Sequence, residues 1–305
     1  YSDFTFKGKK SIHLNSNFPF NNFFFSSSIY IDLLDSEIDF KYLKINQYLK
    51  LNSIFKISKL IPKHSFQLYL NNYYDNEIGE SRLELNNTKI FRDGIRINHT
   101  YNPIGKRKIS QSLLFEKYLR NYKLISSDTD IIFNDDYTQE ILSKYDVSST
   151  YEYGISVANA GFELTYINTW GDRFKSKNLY NFGFGSYFQY DMDFDNKINI
   201  YFGGRYDYFM DVKSAFSPRL GQTFKFSKNT SLKINYGGGF RRPSFIEKYT
   251  DWVPEDMGYK VIGNPHLKPE ISKGFSTLID HIFSSQIKIS LEYLNTYFKN
   301  YIDWY

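Results

Sequence analysis

The 305-residue sequence has no cysteine and only three alanines, Ala158, Ala160 and Ala215. The first absence removes disulfides, thiolate metal sites and cysteine nucleophiles together. The second argues against a helical bundle, which draws heavily on alanine and leucine. No run approaches the ~18 consecutive apolar residues that a membrane-crossing helix needs. The longest apolar cluster near the start, FPFNNFFFSSSIYI at 18–31, is broken by asparagines and serines. His13, His64, His99, His266 and His281 lie far apart and at no metal-ligand spacing, so neither a metal nor a cofactor is expected. The net charge of +5 is spread along the chain, with no basic arm that would point to nucleic acid. Neither end carries a charged-then-apolar leader, and both read as cuts in a longer chain.

What is abundant is aromatic: 28 Tyr, 29 Phe and 3 Trp make up 20% of the chain. Strands favour such side chains. From about residue 150 onward they recur with period two. In KINIYFGGRYDYF (197–209), Ile198, Ile200, Phe202, Tyr206 and Tyr208 alternate with Lys197, Asn199, Arg205 and Asp207. NLYNFGFGSYFQYDMD (178–193), SLKINYG (231–237) and QIKISLEY (286–293) repeat the pattern. It describes strands with one apolar and one polar face. Earlier stretches follow less cleanly. Phe66, Leu68 and Leu70 alternate, as do Leu83 and Leu85, while 31–50 changes phase near Leu33–Leu34. Residues 126–150 are polar and irregular and read as a long loop or a short helix.

Short polar turns (193–197, 227–230, 283–286) take turns with longer connections at 168–177, 210–217 and 243–267. Such a meander has two physical solutions. One is a large soluble antiparallel sheet packed on a second sheet. The other is an all-β transmembrane up-and-down β-barrel, with apolar side chains in lipid and polar ones lining the lumen. Strand length, the turn–loop asymmetry and tyrosines near strand ends favour the barrel.

Five segments then stand in a fixed order: Arg205-Tyr206-Asp207, Ser217 to Leu220, Gly239 to Tyr249, Gly263 to Glu270 and Ile302-Asp303. Together they resemble the barrel of TonB-dependent outer-membrane receptors. The motif residues of that resemblance are Arg205, Asp207, Pro218, Arg219, Phe240, Arg241, Arg242, Pro243, Glu247, Asn264, Pro265, Leu267, Lys268, Pro269 and Glu270. Arg242 departs from the family's usual alanine and is expected to add an uncompensated cation to the wall. The resemblance covers residues 150–305 well; for 1–149 it rests on strand character alone. Gly237–Gly239 would let a strand bend near the rim, and Pro243, Pro265 and Pro269 would mark where pairing stops.

The resemblance implies a 22-stranded barrel closed by a plug. It implies active uptake of a scarce nutrient such as an iron-siderophore, haem or cobalamin, with no covalent chemistry. The implied setting is the bacterial outer membrane with its lipid, and the implied partner is the TonB complex, reached through the plug. At ~20–25 residues per strand and connection, 305 residues hold roughly 12–14 strands, so residues 1–305 are expected to form part of one barrel domain. The plug and the last strands are not visible in the sequence. Arg241, Arg242, Glu247, Lys268 and Glu270 are expected in the upper lumen, either pairing or fixing loop geometry. Candidate ligand residues are Trp170 and Arg173 (with Asp172) in one loop, and Trp252 and Tyr259 (with Glu255 and Asp256) in another. The alternatives are a plug-free passive porin or structural barrel, and an outer-membrane hydrolase. The latter is disfavoured because His64 and Ser65, the one adjacent pair, would point to opposite faces of a strand.

Overall fold

Alternation of apolar and polar side chains draws the backbone into one long antiparallel meander. The computed structural model describes residues 8–39, 44–80, 84–103, 105–126, 132–175, 178–253 and 260–303. The strands are β1 (Gly8–Phe20), β2 (Phe23–Asp39), β3 (Lys44–Ile61), β4 (His64–Glu80), β5 (Glu84–Tyr101) and β6 (Arg107–Ser126). They continue with β7 (Ile132–Tyr153), β8 (Ser156–Gly171), β9 (Leu179–Phe194), β10 (Ile198–Phe209), β11 (Val212–Lys225) and β12 (Thr230–Arg241). The chain then forms a short helix α1 (Phe245–Tyr249), a ribbon of β13 (Asp251–Trp252) with β14 (Val261–Ile262), β15 (Glu270–Ile282) and β16 (Lys288–Lys299).

Fourteen of these strands form a single sheet in which each is hydrogen-bonded to the next in sequence order, β12 being followed directly by β15. They are 12 to 22 residues long. Soluble sheets average about 5–6, and about 9–11 tilted residues suffice to cross a bilayer. One end of the sheet carries only short turns of two to five residues, at 21–22, 62–63, 102–106, 154–155, 195–197, 226–229 and 283–287. Asn21, Lys63, Asp195 and Asn196 adopt positive φ in those turns. The opposite end carries 172–178 and the long excursion 242–269.

Burial is inverted relative to a soluble protein. Among the described residues the buried apolar side chains are Leu34, Leu124, Phe174 and Phe245, whereas twelve polar or charged residues are buried. On β10, Tyr206 and Tyr208 are 41% and 45% exposed, while Asp207 between them is 7% exposed. Tyr180, Phe182 and Phe188 on β9 stand out in the same way, against Asn181 at 1%. No second layer packs on this apolar face among the described residues, so the soluble sandwich is excluded and the lipid-facing barrel wall stands.

Three sequence expectations are corrected here. Residues 126–150 are not a loop or helix: β6 runs to Ser126 and β7 occupies 132–153. The reason is that β7's inward positions are almost all polar (Asn134, Asp136, Thr138, Glu140, Lys144 and Asp146), which hides its period. The connection at 210–217 is a two-residue turn, Met210–Asp211, and Val212 already begins β11. The phase change near Leu33–Leu34 falls inside β2, where Leu33 is exposed and Leu34 buried, just before a register shift between Asp35 and Ile38. The count of strands agrees with the expected range.

Among the described residues β1 and β16 each pair on one side only. An open edge leaves backbone groups unpaired, which hydrocarbon does not tolerate. The 305-residue chain produced alone is therefore expected to give no heat-modifiable band on a gel after refolding into detergent or lipid. A band that shifts on boiling would contradict this.

Candidate functional site

Pro218 organises the site-bearing end of the wall. It lacks the N–H that a central strand needs, and the β11–β12 ladder ends one residue away, at Arg219 opposite Gly237. Beyond that point β12 continues through Gly238–Arg241 against β15 alone. Gly238 packs on the ring of Pro218, where a Cβ would come within 2.8 Å of Cδ. The two-residue β10–β11 turn leaves the rim low at this place. The chain after Arg241 folds across it, towards β8 and β7, as a strap spanning 242–269.

Two ion clusters hold the strap at its root. Arg241 makes two bonds to Glu270, at 2.6 and 3.0 Å, and two to Glu247, at 2.9 and 3.1 Å. Glu270 also accepts from the Ile302 backbone N–H at 2.7 Å. Glu247 is the N3 member of a capping box, receiving the Ser244 N–H while Ser244 Oγ accepts from the Glu247 N–H. In the second cluster Arg242 Nη1 and Lys248 Nζ each lie 3.1 Å from Asp211 Oδ2. Asn181 donates to the same carboxylate. The Arg242 guanidinium lies over the rings of Phe245 (4.8 Å) and Phe209 (5.5 Å), and Phe209 stacks on Phe240. Arg242 is thus not uncompensated, as the sequence suggested: Asp211, placed opposite it by the tight turn, pairs with it.

Asn264, Pro265, Leu267, Lys268 and Pro269 belong to the returning limb of the strap, not to the wall. Asn264 forms a local turn, its side chain accepting from His266 N–H at 2.9 Å, while its own N–H bonds to Glu247 O at 2.9 Å. Gly263 lies against the end of α1, where a Cβ would meet the Lys248 carbonyl carbon at 2.6 Å. Pro243 is fully buried, Lys268 is exposed, and Pro269 directly precedes β15. Lower in the lumen, Arg205 bonds to Asp207 at 2.8 Å and to Glu163 at 3.2 Å, and Lys144 also pairs with Glu163. Arg219, exposed on the next strand, faces the same lumen.

At its far end the strap meets the tops of β7 and β8. Arg173 is held by both oxygens of Asp136, each at 2.8 Å, and is sandwiched between Tyr122 (5.0 Å) and Trp252 (4.3 Å). Trp252 Nε1 donates to Asn134 at 3.1 Å, and the Asp251 N–H donates to Arg173 O at 2.8 Å. Arg120 lies 4.9 Å from the same Tyr122 ring. Of the four candidate ligand residues, Arg173 and Trp252 are therefore brought together. Trp170 is not in a loop: it lies on β8, next to the buried, inward Thr169, and so points outward. Tyr259, Glu255 and Asp256 lie outside the described residues. Sequence reading missed Asp136, Tyr122, Arg120, Asp211 and Lys248. It also missed that His64 and His99 meet on neighbouring strands, 3.0 Å apart. Only strand register, which the sequence does not fix, juxtaposes them.

Burial opposes ionisation of Asp211, but Arg242, Lys248 and Asn181 outweigh it, so the carboxyl titrates below its ordinary value. Its contribution is then complete above the ordinary carboxylate range, about pH 4, and is lost as pH falls through the lowered value. Lys248, 4% exposed, has no other carboxylate among its described contacts. Asp211→Asn is expected to weaken strap docking by about 3 kcal/mol, as for breaking a buried pair. Limited proteolysis of the complete receptor in a bilayer should show faster cleavage of the variant within 243–263, and the wild type should approach the variant's rate below pH 4. Equal cleavage of the two at neutral pH would count against this latch.

A family model described as TonB dependent receptor-like, beta-barrel, matches residues 15–305. The "Iron-regulated outer membrane virulence protein" of Vibrio cholerae serotype O1 is 33% identical over 101 residues, 33% of this chain and 16% of the relative. Among solved structures, the hemophore receptor HasR of Serratia marcescens, solved with its hemophore HasA and heme, superposes with a TM-score of 0.71. It is 13% identical and covers 97% of this chain and 55% of that one. The ferric enterobactin receptor PfeA of Pseudomonas aeruginosa gives 0.74 at 13% identity, over 95% and 50%. The FrpB iron transporter of Neisseria meningitidis gives 0.73 at 11%, over 95% and 52%. The chain spans about half the length of these structures, and their low identity speaks for the fold alone. Together with the apolar outer face and the continuous ladder, the family match places this chain among the TonB-dependent receptor β-barrels, in the outer membrane.

Proposed function

We propose that this chain forms barrel wall of a receptor that takes up a scarce nutrient chelate across the outer membrane. Iron-siderophores, haem and cobalamin are the candidate cargo classes. The observation that carries the reading is the mouth cluster: Arg173 clamped between Tyr122 and Trp252 beneath a strap, at the top of a polar lumen. A planar aromatic and a guanidinium presented together suit a flat, partly anionic ligand. The names of the relatives point the same way: one is iron-regulated, one was solved with heme, and one is a ferric enterobactin receptor. On this reading work is supplied by the TonB complex through a plug domain, and Arg173 and Trp252 contact the cargo.

The test is growth of a strain whose complete gene is deleted and then restored, on limiting iron with haem or single ferric chelates as sole source. Restored growth that disappears when TonB is removed is expected. Growth that persists without TonB would favour a passive porin. Trp252→Ala with Arg173→Ala should lower chelate affinity about tenfold or more, from loss of stacking and a charge-assisted bond. Unchanged affinity would remove both residues from the binding site.

A further inference from the structure

The mouth cluster is the top of a longer array. On the inward face of β6, Tyr118, Arg120 and Tyr122 occupy alternate positions, so their side chains stand roughly 7 Å apart on one side of the strand. Above them Arg173 lies on Tyr122; below them Arg92, from β5, lies 5.5 Å from the Tyr118 ring. Arg92 and Arg96 open onto a lumen concavity of ≈ 750 Å³ that is also lined by Tyr69, Tyr73 and Tyr118. Guanidinium and phenol groups therefore alternate from the mouth to the middle of the barrel along one wall.

The charges on this wall do not cancel. Asp136 is engaged by Arg173, Glu116 by Arg92 at 3.4 Å, and Glu140 accepts from Thr169 at 3.0 Å. Arg120 and Arg96 have no hydrogen bond or ion pair among the described residues. The carboxylate nearest Arg120, Asp136, is held by Arg173, so the Arg120 guanidinium, stacked on a phenol and close to a second guanidinium, keeps N–H groups that suit anionic oxygen atoms. A single tight site would hold its ligand; a row of similar, individually weak ones lets it enter and leave.

We propose that the lumen face of β5 and β6 is a guide track for an anionic aromatic chelate, running from Arg173 and Tyr122 through Arg120 and Tyr118 to Arg92 and Arg96. The proposal rests on the uptake reading above and adds the charge class of the cargo and the wall it follows. It predicts discrimination by charge. A multiply negative ferric tris-catecholate follows the track, and an uncharged ferric tris-hydroxamate gains nothing from it.

The complete receptor is tested with those two chelates as probes, read by quenching of tryptophan fluorescence for binding and by radioactive iron accumulation in cells for uptake. Arg120→Gln should weaken tris-catecholate binding about tenfold or more and leave the tris-hydroxamate unchanged. Arg120→Lys, which keeps the charge, should recover most of the loss. Arg96→Gln, deeper in the lumen, should leave catecholate binding intact while uptake falls about tenfold. Equal amounts of heat-modifiable receptor in every strain exclude a folding defect. Arg120→Gln with wild-type affinity and uptake, or equal losses for both probes, overturns the track. Wild-type receptor that takes up the uncharged probe and not the catecholate overturns the track while uptake itself stands. Uptake of neither probe overturns the track, and the uptake reading then stands or falls with the growth test on haem and other chelates.

Discussion

Hydrocarbon offers no hydrogen bonds, so every backbone N–H and C=O crossing it must find its partner in the protein. The sheet meets that demand by pairing each strand with its sequence neighbour over nearly its whole length, as in the twenty-residue β6 against β7. Once the ladder is fixed, side-chain direction follows. One residue in two goes to lipid, and Phe, Tyr, Ile and Leu occupy it; the other goes to the lumen and carries Asp, Arg, Asn and Tyr. The same pairing that secures the backbone thus creates the polar interior on which any site must be built. Charges are affordable there because they meet each other, as in Arg205 with Asp207 and Glu163.

Where the β11–β12 ladder yields, the structure also gains a mouth. Pro218 stops β11–β12 pairing, β12 goes on to Arg241 against β15 alone, and the chain beyond it becomes the strap. Side chains hold its root in place of strand bonds: Asn181 and Asp211 from the wall, Arg242 and Lys248 from the strap. Two cations share one carboxylate, and the faces of Phe245, Phe209 and Tyr249 take up part of the remaining charge. Arg242 is therefore a strap anchor.

How far the sequence revealed this depends on whether a feature is local or depends on register. Strands β9, β10, β12 and β16 were legible because their aromatic and polar residues alternate without interruption. The stop at Pro243 and the start after Pro269 were legible because a missing N–H is a local fact. β7 was not, since both its faces carry polar residues near the mouth, and the tight turn at Met210–Asp211 was hidden by the polar residues that follow it. The motif charges were read as wall residues, but half of them fix the strap. Asp136 with Arg173, Asp211 with Lys248 and Asn134 with Trp252 join residues 37 or more apart in sequence. Nothing in a single sequence announces such meetings.

The strictly sequential order of the strands also bears on how the molecule is made. Most of its contacts lie within hairpins, so loop-closure entropy is spent in small steps, and the wall can grow one hairpin at a time as the chain emerges. The strap is the exception: Trp252 reaches Asn134 across 118 positions. Its docking must wait until β7 through β12 are in place, which makes the covered mouth the last element to acquire its native shape.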